Sequence, residues 1–476
     1  MTDAVTAAPA RRLGLATALS YSIVTIPISA LGIGLGIFLP KYFASHLGVG
    51  LTVIASAFTL VRLIDIPVDP VLGVFMDRTR TAIGRYRVWL MVGAPILMLA
   101  VYQLFMARAG IGEAYLIVWL LVLYLGTSIS GLAQGAWSAT LAPGYNERSL
   151  LFALLSAVGI TATVGVLAIS VVGGNIKLPQ AVTVPAMGWV VIALTPLCVG
   201  AVAAVVPERV APDVRTQRFP LADYAAIALK PAIIRLFFAQ AALTLGPGWM
   251  SALYLFFFSG VLGFSDGTSS LLLIIYVLAG VAGAPTTAWI STRFGKHRTL
   301  IAMTTAYSIG LCSVIILPKA HFWLTVPVMV WCGFMASGFG LLISSMTADV
   351  GDEVRLEQGK QRMGLIYSVI GLAAKIAGAF AFALSFGLLA AVGYNAKEGA
   401  HNTAAAIQGL EYIYILGPIF FVMLGGACFI GWKLDARRHG EIRFALEARD
   451  AALGEDAQVS ALTGQPIPAL AIAESD

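Results

Sequence analysis

Long apolar stretches dominate this chain and recur about twelve times between short polar segments. Each is long enough to cross the hydrocarbon core of a bilayer, which takes about 20 residues of helix. Hydrophobic residues make up 59% of the 476 positions and charged residues only 11%, whereas soluble domains carry about a quarter charged residues. Because the stretches are continuous rather than alternating, they predict helices and not the strands of a barrel. The predicted fold class is an all-α membrane protein with twelve transmembrane helices.

The twelve stretches divide into two sets of six. Short basic turns that contain glycine follow both the second stretch (Gly73–Arg80) and the eighth (Arg293–Arg298), which indicates an internal repeat. Transporters built from two parallel repeats bind their solute between them. The predicted organisation is an N-terminal six-helix half (1–206), a cytoplasmic connector (207–231), a C-terminal six-helix half (232–433) and a partly disordered cytoplasmic tail (434–476).

The distribution of lysine and arginine predicts the orientation of the chain. The formal net charge is +6, and the basic residues concentrate in the connector, the tail and alternate turns. Since such residues mark the cytoplasmic ends of membrane helices, we expect a multi-pass protein of the inner (plasma) membrane with both termini in the cytoplasm. This placement explains the positive charge without a nucleic-acid partner. The expected partners are the lipid bilayer and a small-molecule substrate, and the expected functional unit is a monomer.

Arg62, Asp65 and Asp69 stand together in the second stretch, where a charged side chain costs about 3 kcal/mol. Their spacing of three and then four residues places them on one helix face. Two carboxylates this close in a low dielectric favour the uptake of a proton. Backbone carbonyls freed by Pro67 and Pro70 would suit a hard cation, so both carboxylates are candidate metal ligands if the ion is sodium. The structural alternative is a static Arg62–Asp65 pair that joins two helices.

Lys375 is a second intramembrane cation, far from either predicted end of the eleventh helix. A lysine at this depth needs a carboxylate, a substrate or water. The expected partners are Asp65 and Asp69 of the other half, in which case Lys375 and Arg62 would sense the charge of the site and contact substrate. The alternative is a lysine shielded only by helix carbonyls.

Two further groups of residues are candidates for binding and gating. Aromatic faces beside hydrogen-bonding groups suit sugars, and polar or aromatic residues at mid-membrane depth include Trp137, Gln134 and Ser29. Charged clusters at cytoplasmic helix ends are either solvated surface charges or gates that close by salt bridges. The candidate gating residues are Asp77, Arg78, Arg85, Asp349, Asp352 and Arg362.

The motifs indicate no chemistry other than transport. The sequence lacks the P-loop pattern that ATP-driven transport would require, and it has no metal-binding or catalytic-triad pattern. We therefore expect a protein that is not an enzyme and needs no cofactor. Its expected source of energy is a coupling ion, either H+ or Na+.

Two segments resemble the glycoside–pentoside–hexuronide:cation symporters, which are melibiose-permease-like members of the major facilitator superfamily. The first is Arg62–Pro70 (RLIDIPVDP), continuing through Gly73 to Gly84-Arg85. The second, in the other half, is Ala348–Glu353 (ADVGDE) followed by Ala374-Lys375. The helix plan is similar along nearly the whole chain, so the resemblance implies a major facilitator fold.

The resemblance also implies roles for individual residues. Asp65 and Asp69 match the two cation-site carboxylates of the family, and Lys375 matches its lysine between the cation and sugar sites. Trp137 is similar to the fourth-helix tryptophan that lies beside the sugar.

The chain departs from the family pattern at several positions. A further cation-site aspartate, four residues before Trp137, is Ala133 here, and an asparagine just before the second acid is Val68. A sugar-binding aspartate of the first helix is replaced near Ser29, and a fifth-helix arginine has no clear counterpart after Arg148. Missing ligands weaken a sodium site more than a proton site, so these departures favour the proton and leave a galactoside substrate open.

The predicted function is secondary active transport by alternating access, in which a sugar, glycoside or related small organic solute moves with a proton or sodium ion. An alternative on the same fold is a transporter or exporter of an amphiphile such as a lysolipid, steroid or drug. Extra soluble domains or a long signalling tail would favour a receptor without transport activity, and the sequence shows neither.

Overall fold

The computed structural model describes residues 14–142, 145–208, 229–358 and 363–452. In these ranges twelve helices are long and apolar enough to cross a membrane, which confirms the predicted fold class. The first half contains α1 (Leu15–His46), α2 (Leu51–Arg78), α3 (Tyr86–Phe105), α4 (Glu113–Leu141), α5 (Tyr145–Asn175) and α6 (Gln180–Val205). The second half contains α7 (Pro231–Gly260), α8 (Asp266–Phe294), α9 (Lys296–Cys312), α10 (Phe322–Gln358), α11 (Met363–Ala391) and α12 (Ala404–Ala427).

Helix packing repeats between the two halves. In the first half α2 packs on α4, α3 on α4 and α6, and α1 on α5 and α6. The second half repeats each of these pairs, with α8 on α10, α9 on α10 and α12, and α7 on α11 and α12. The halves meet along two helix pairs, α2–α11 and α5–α8. In the repeat α2 corresponds to α8 and α5 to α11, so these two contacts are equivalent. This is the arrangement expected for parallel repeats related by an axis along the membrane normal.

Two helices near the interface depart from regular geometry. Helix α1 contains two π-helical stretches, Gly34–Phe38 and Tyr42–His46. Helix α2 continues through Pro67 and Pro70, and neither proline has an N–H group for the carbonyl four residues earlier. The carbonyl groups four residues before each proline therefore lack their usual helical N–H donor, in the segment of α2 that carries the two aspartates.

The two halves are tied together at the end of the bundle where α1 finishes and α8 begins, which we call the closed end. Lys41 of α1 forms an ion pair with Asp266 of α8 at 2.5 Å, and Gln180 donates to the same carboxylate. Nearby, Ser270 Oγ donates to Ser170 Oγ at 2.8 Å. The hydrogen bonds and ion pairs between the halves in the described residues lie between this end and the level of Lys375. The halves are therefore held together along this part of the bundle, where Lys41 and Asp266 also line a 780 Å³ cavity.

At the opposite end, where α4 and α10 finish, glycines and a serine on these two helices are exposed. They are Gly131, Gly135, Gly340 and Ser344. We call this the open end.

The polar segments add two elements at the open end. Glu208, after α6, accepts hydrogen bonds from three backbone N–H groups at the start of α3, including that of Tyr86 at 2.6 Å. Helix α13 (Ala436–Ala452) packs through buried Ile442 and Leu446. Most of the predicted connector (209–228) and the predicted disorder after residue 452 lie outside the described residues.

Candidate functional site

The ammonium group of Lys375 lies between the carboxylates of Asp65 and Asp69. Its Nζ is 3.1 Å from Asp65 Oδ2 and also contacts Asp69 Oδ2. The two aspartates follow one another by one turn of α2, so both carboxylates point at α11. The site therefore joins the two halves by an ion pair at the depth of the prolines of α2.

The carboxylates have unequal surroundings. Asp65 Oδ1 accepts a hydrogen bond from Ser128 of α4 at 2.9 Å, and the Asp65 side chain is 9% exposed. In contrast, Asp69 Oδ1 is buried and has no hydrogen-bond partner among the described residues. A buried carboxylate oxygen without a partner carries a large desolvation cost. Asp69 Oδ1 is thus the carboxylate oxygen of this site whose capacity to accept a hydrogen bond is not used by the described residues.

Arg62 does not join this ion pair in the described contacts. Its Nε donates to the hydroxyl of Tyr124 at 2.8 Å, and its guanidinium carbon lies 4.7 Å from the centre of the Tyr124 ring. The structural alternative from the sequence, a static Arg62–Asp65 pair, is not the arrangement found.

A groove of 640 Å³, lined by both polar and apolar side chains, lies between α1, α4 and α5, in the part of the bundle nearer the open end. Among the sequence candidates, Ser29 and Gln134 line it. Gln134 Nε2 donates to Thr25 Oγ1 at 2.6 Å, and Ser29 packs against Gly159, where a Cβ would lie 2.9 Å from the serine oxygen. The groove offers hydroxyl and amide groups, which are the groups that bind neutral polar solutes.

Trp137 lies behind this groove rather than in it. The side chain is fully buried, packs edge-on against Tyr21 with ring centres 5.5 Å apart, and has Arg87 5.6 Å from its ring centre. Its indole nitrogen is buried without a hydrogen-bond partner among the described residues. Contact with substrate would therefore require a rearrangement of the Tyr21–Trp137 pair.

The candidate gating acids pair with residues of the second half and of the tail helix α13. Lys296 donates to both oxygens of Asp349 at 2.7 Å, and His439 of α13 contacts Asp352 at 3.1 Å. Of the other candidates, Arg78 is exposed at the end of α2. The backbone N–H of Arg85 donates to Glu208, while Arg362 and the side chain of Asp77 lie outside what the structure describes.

Sequence reasoning missed the contribution of α4 to the candidate ion site and the ion pair at the closed end. Tyr124, Ser128, Gly131 and Gly135 follow spacings of four, three and four, so one stripe of α4 runs from the carboxylates to the groove. That spacing was a readable signal for Ser128. Nothing in the sequence pairs Lys41 with Asp266, which are 225 residues apart.

In the described part of the chain, no group of three or more His, Cys, Asp or Glu side chains is arranged to hold a metal ion. The side-chain oxygens of this site are those of the two carboxylates and of the Ser128 hydroxyl, which donates to Asp65, and Lys375 already contacts both carboxylates. A metal ion at this position would have to compete with the lysine ammonium.

Sequence comparisons with known proteins agree on one family. Residues 20–436 match the family described as MFS/sugar transport protein. The isoprimeverose transporter of Lactiplantibacillus pentosus is 24% identical over 417 residues, which is 84% of this chain and 84% of that protein. The glucuronide carrier protein homolog of Escherichia coli is 23% identical over 428 residues, which is 87% of this chain and 91% of that protein.

Solved structures agree on the fold. A crystal structure of a variant of the nucleoside transporter NupG superposes with a TM-score of 0.66 at 13% identity. The match covers 88% of this chain and 100% of that one.

Proposed function

The chain belongs to the MFS/sugar transport protein family, and from this premise we propose that it is a proton-coupled symporter of a sugar or glycoside. The observation that carries the proposal is the Lys375 ammonium held between Asp65 and Asp69, beside a buried Asp69 oxygen that has no described partner. Two carboxylates and one lysine leave one formal negative charge (−2 + 1 = −1). The site can therefore take up one further positive charge.

A proton fits this position better than sodium. A proton needs one oxygen atom, and Asp69 Oδ1 is such an atom. Sodium, as a hard cation, needs several oxygen ligands at once, and two of the four carboxylate oxygens here already contact Lys375. Ala133 and Val68, where the resembling family has an aspartate and an asparagine, add no oxygen donor from their side chains.

Coupling would operate through the same lysine. Because Lys375 is on α11 and both aspartates are on α2, the ion pair joins the halves along one of their two main contacts. Protonation of Asp69 would remove one of the two charges that hold Lys375, and so weaken this contact. A bound proton then shifts the equilibrium between the two states of the transporter because its affinity differs between them.

The groove between α1, α4 and α5 is the proposed solute site. Its lining combines hydroxyl and amide groups with apolar side chains and contains neither a carboxylate nor a base, which favours an uncharged solute. Several relatives are named for sugars, among them an isoprimeverose transporter and a raffinose carrier protein. The stripe of α4 that carries Ser128 also reaches the groove, so solute and ion would act on the same helix.

The open end is proposed to face the cytoplasm. The basic turns after α2 and α8 and the helix α13 lie at this end, as the positive-inside rule requires. Both termini would then be cytoplasmic, the membrane would be the inner (plasma) membrane, and the structure would represent an inward-open state with its outer side closed by Lys41 and Asp266.

We expect an inside-alkaline pH gradient to drive solute accumulation in proteoliposomes, and a sodium gradient at constant pH to drive none. The solute would be chosen by thermal shift from isoprimeverose, raffinose, a phenyl glucuronide and lysophosphatidylcholine, measured with and without sodium across pH. Sodium-driven uptake would overturn proton coupling. Stabilisation by the lysolipid alone would favour the amphiphile alternative over a sugar.

Replacing Gln134 with alanine should raise the KM for the solute about threefold to tenfold, because one lost hydrogen bond is worth about 0.5–1.5 kcal/mol. The matched control is Gln240→Ala, because Gln240 lines a separate 360 Å³ cavity between α7, α8 and α10. Initial rates of uptake at several solute concentrations give KM. A raised KM for Gln240→Ala with an unchanged KM for Gln134→Ala would move the solute site to that second cavity.

A further inference from the structure

Arg62 raises a question that the ion pair of Lys375 does not answer. It lies three residues before Asp65 on the same face of α2, a spacing at which arginine and aspartate readily pair. Yet its described hydrogen bond goes to the hydroxyl of Tyr124. Two acidic side chains so close to an arginine would normally attract it, so something must hold it elsewhere.

Tyr124 holds the guanidinium by two kinds of contact. The hydroxyl oxygen accepts the Nε–H of Arg62 at 2.8 Å, and the ring lies 4.7 Å from the guanidinium carbon. Tyr124 is 5% exposed, and a cation over an aromatic ring gains most when both are shielded from water. Gly378 of α11 lies beside the guanidinium, since a Cβ there would be in van der Waals contact with Arg62 Nη1 at 3.6 Å.

We infer that Tyr124 is a positioning residue that holds Arg62 away from Asp65 and Asp69 and so keeps these carboxylates able to take up the coupling proton. The inference rests on the proposed proton-coupled function. With Lys375 as the sole paired cation the site carries one formal negative charge, whereas pairing of Arg62 as well would leave none (−2 + 2 = 0). A neutralised site has little affinity for a further proton.

The charged and titratable groups that face the carboxylates come from three helices. Helix α2 contributes Arg62 and the two aspartates themselves, α4 contributes Tyr124, and α11 contributes Lys375. Ser128 of α4 adds a neutral hydroxyl. Of these groups, Arg62 is the one whose position depends on Tyr124.

Infrared difference spectroscopy of the purified full-length protein tests this without any solute. The measured quantity is the band of protonated carboxyl groups as a function of pH, and Asp69→Asn identifies the part of that band which belongs to the site. The variants are Tyr124→Phe, which keeps the ring but removes the acceptor, Arg62→Gln, and the two combined.

In Tyr124→Phe, we expect the midpoint of the Asp69-dependent band to move down by about one pH unit or more, because Arg62 then pairs with the carboxylates. Combining it with Arg62→Gln should return the midpoint to the wild-type value or above. A purely structural role for Tyr124 would not be relieved by removing Arg62. Tyr124→Leu, which also removes the ring contact, should show at least the same downward shift in protein whose folding is verified by its melting temperature.

Two results would overturn the inference while leaving the proposed function intact. One is an Asp69-dependent band with the same midpoint in wild type, Tyr124→Phe and Tyr124→Leu. The other is a shifted midpoint that persists when Arg62→Gln is added. If wild type has no band that depends on Asp69, the proposed proton site itself fails and the inference fails with it.

Discussion

Asp69→Asn is expected to abolish uphill uptake while the protein remains folded. Asparagine keeps the shape of aspartate and can still accept a hydrogen bond from Lys375, but it cannot take up a proton. Without a bound proton, movement of the solute is no longer linked to the pH gradient, and the steady-state accumulation ratio should fall to about one. The measurement is uptake of the radiolabelled solute into proteoliposomes with an imposed inside-alkaline pH gradient.

Controls separate loss of coupling from loss of the protein. Solute exchange at equal concentration on both sides should survive in Asp69→Asn, because that reaction needs no net proton movement. Glu113→Gln offers a matched removal of a carboxylate far from the site, at the start of α4, where Glu113 accepts a hydrogen bond from Ser56. This variant should accumulate solute like wild type. Normal accumulation by Asp69→Asn would refute the role proposed for Asp69.

A disulfide between α5 and α8 is expected to stop transport altogether. Ser170 and Ser270 are buried, lie in different halves, and have their Oγ atoms 2.8 Å apart, while the two sulfurs of a disulfide are about 2 Å apart. In Ser170→Cys/Ser270→Cys the bond should therefore form with little movement and hold the closed end shut. Since alternating access requires this end to open, oxidised protein should show neither uptake nor exchange.

Reversal by a reductant is the decisive part of this experiment. Treatment with dithiothreitol should restore transport in the double variant, and neither single variant should respond to oxidant or reductant. Replacing Cys312, the exposed native cysteine, removes a possible competing thiol. Full activity of the cross-linked protein, with the disulfide verified by mass spectrometry, would show that the closed end does not need to open.

Much of the site was accessible from the sequence because the membrane penalises charge so strongly. Arg62, Asp65, Asp69 and Lys375 stand out in apolar stretches, and each must be compensated by a partner. Few acids are available at this depth, so the expectation that Lys375 meets the two aspartates needed no knowledge of the packing. The partner of Arg62 could not be predicted in this way, because a tyrosine hydroxyl and an aspartate carboxylate can each accept a hydrogen bond from its guanidinium group.

The roles of polar residues without charge were harder to anticipate. Gln134 and Trp137 are three residues apart on α4, yet Gln134 lines the groove and Trp137 packs behind it against Tyr21. An amide or an indole group costs much less free energy to bury in a membrane helix than a charged group does. Its partner therefore cannot be inferred from the sequence as the partner of a charge can. Their environments therefore depend on the rotation of α4 against α1 and α5.

The sequence by itself determined the class of fold, and it predicted the division into two repeated halves and the residues of the proposed ion site. It did so because twenty-residue apolar helices are nearly the only way to satisfy a backbone in lipid, and because buried charges are too costly to occur without purpose. The tertiary structure alone decided which end is closed, that Lys41 meets Asp266 there, and that Tyr124 rather than Asp65 holds Arg62. Each of these outcomes depends on a few contacts between helices that are far apart in the chain, and local sequence patterns carry no information about such contacts.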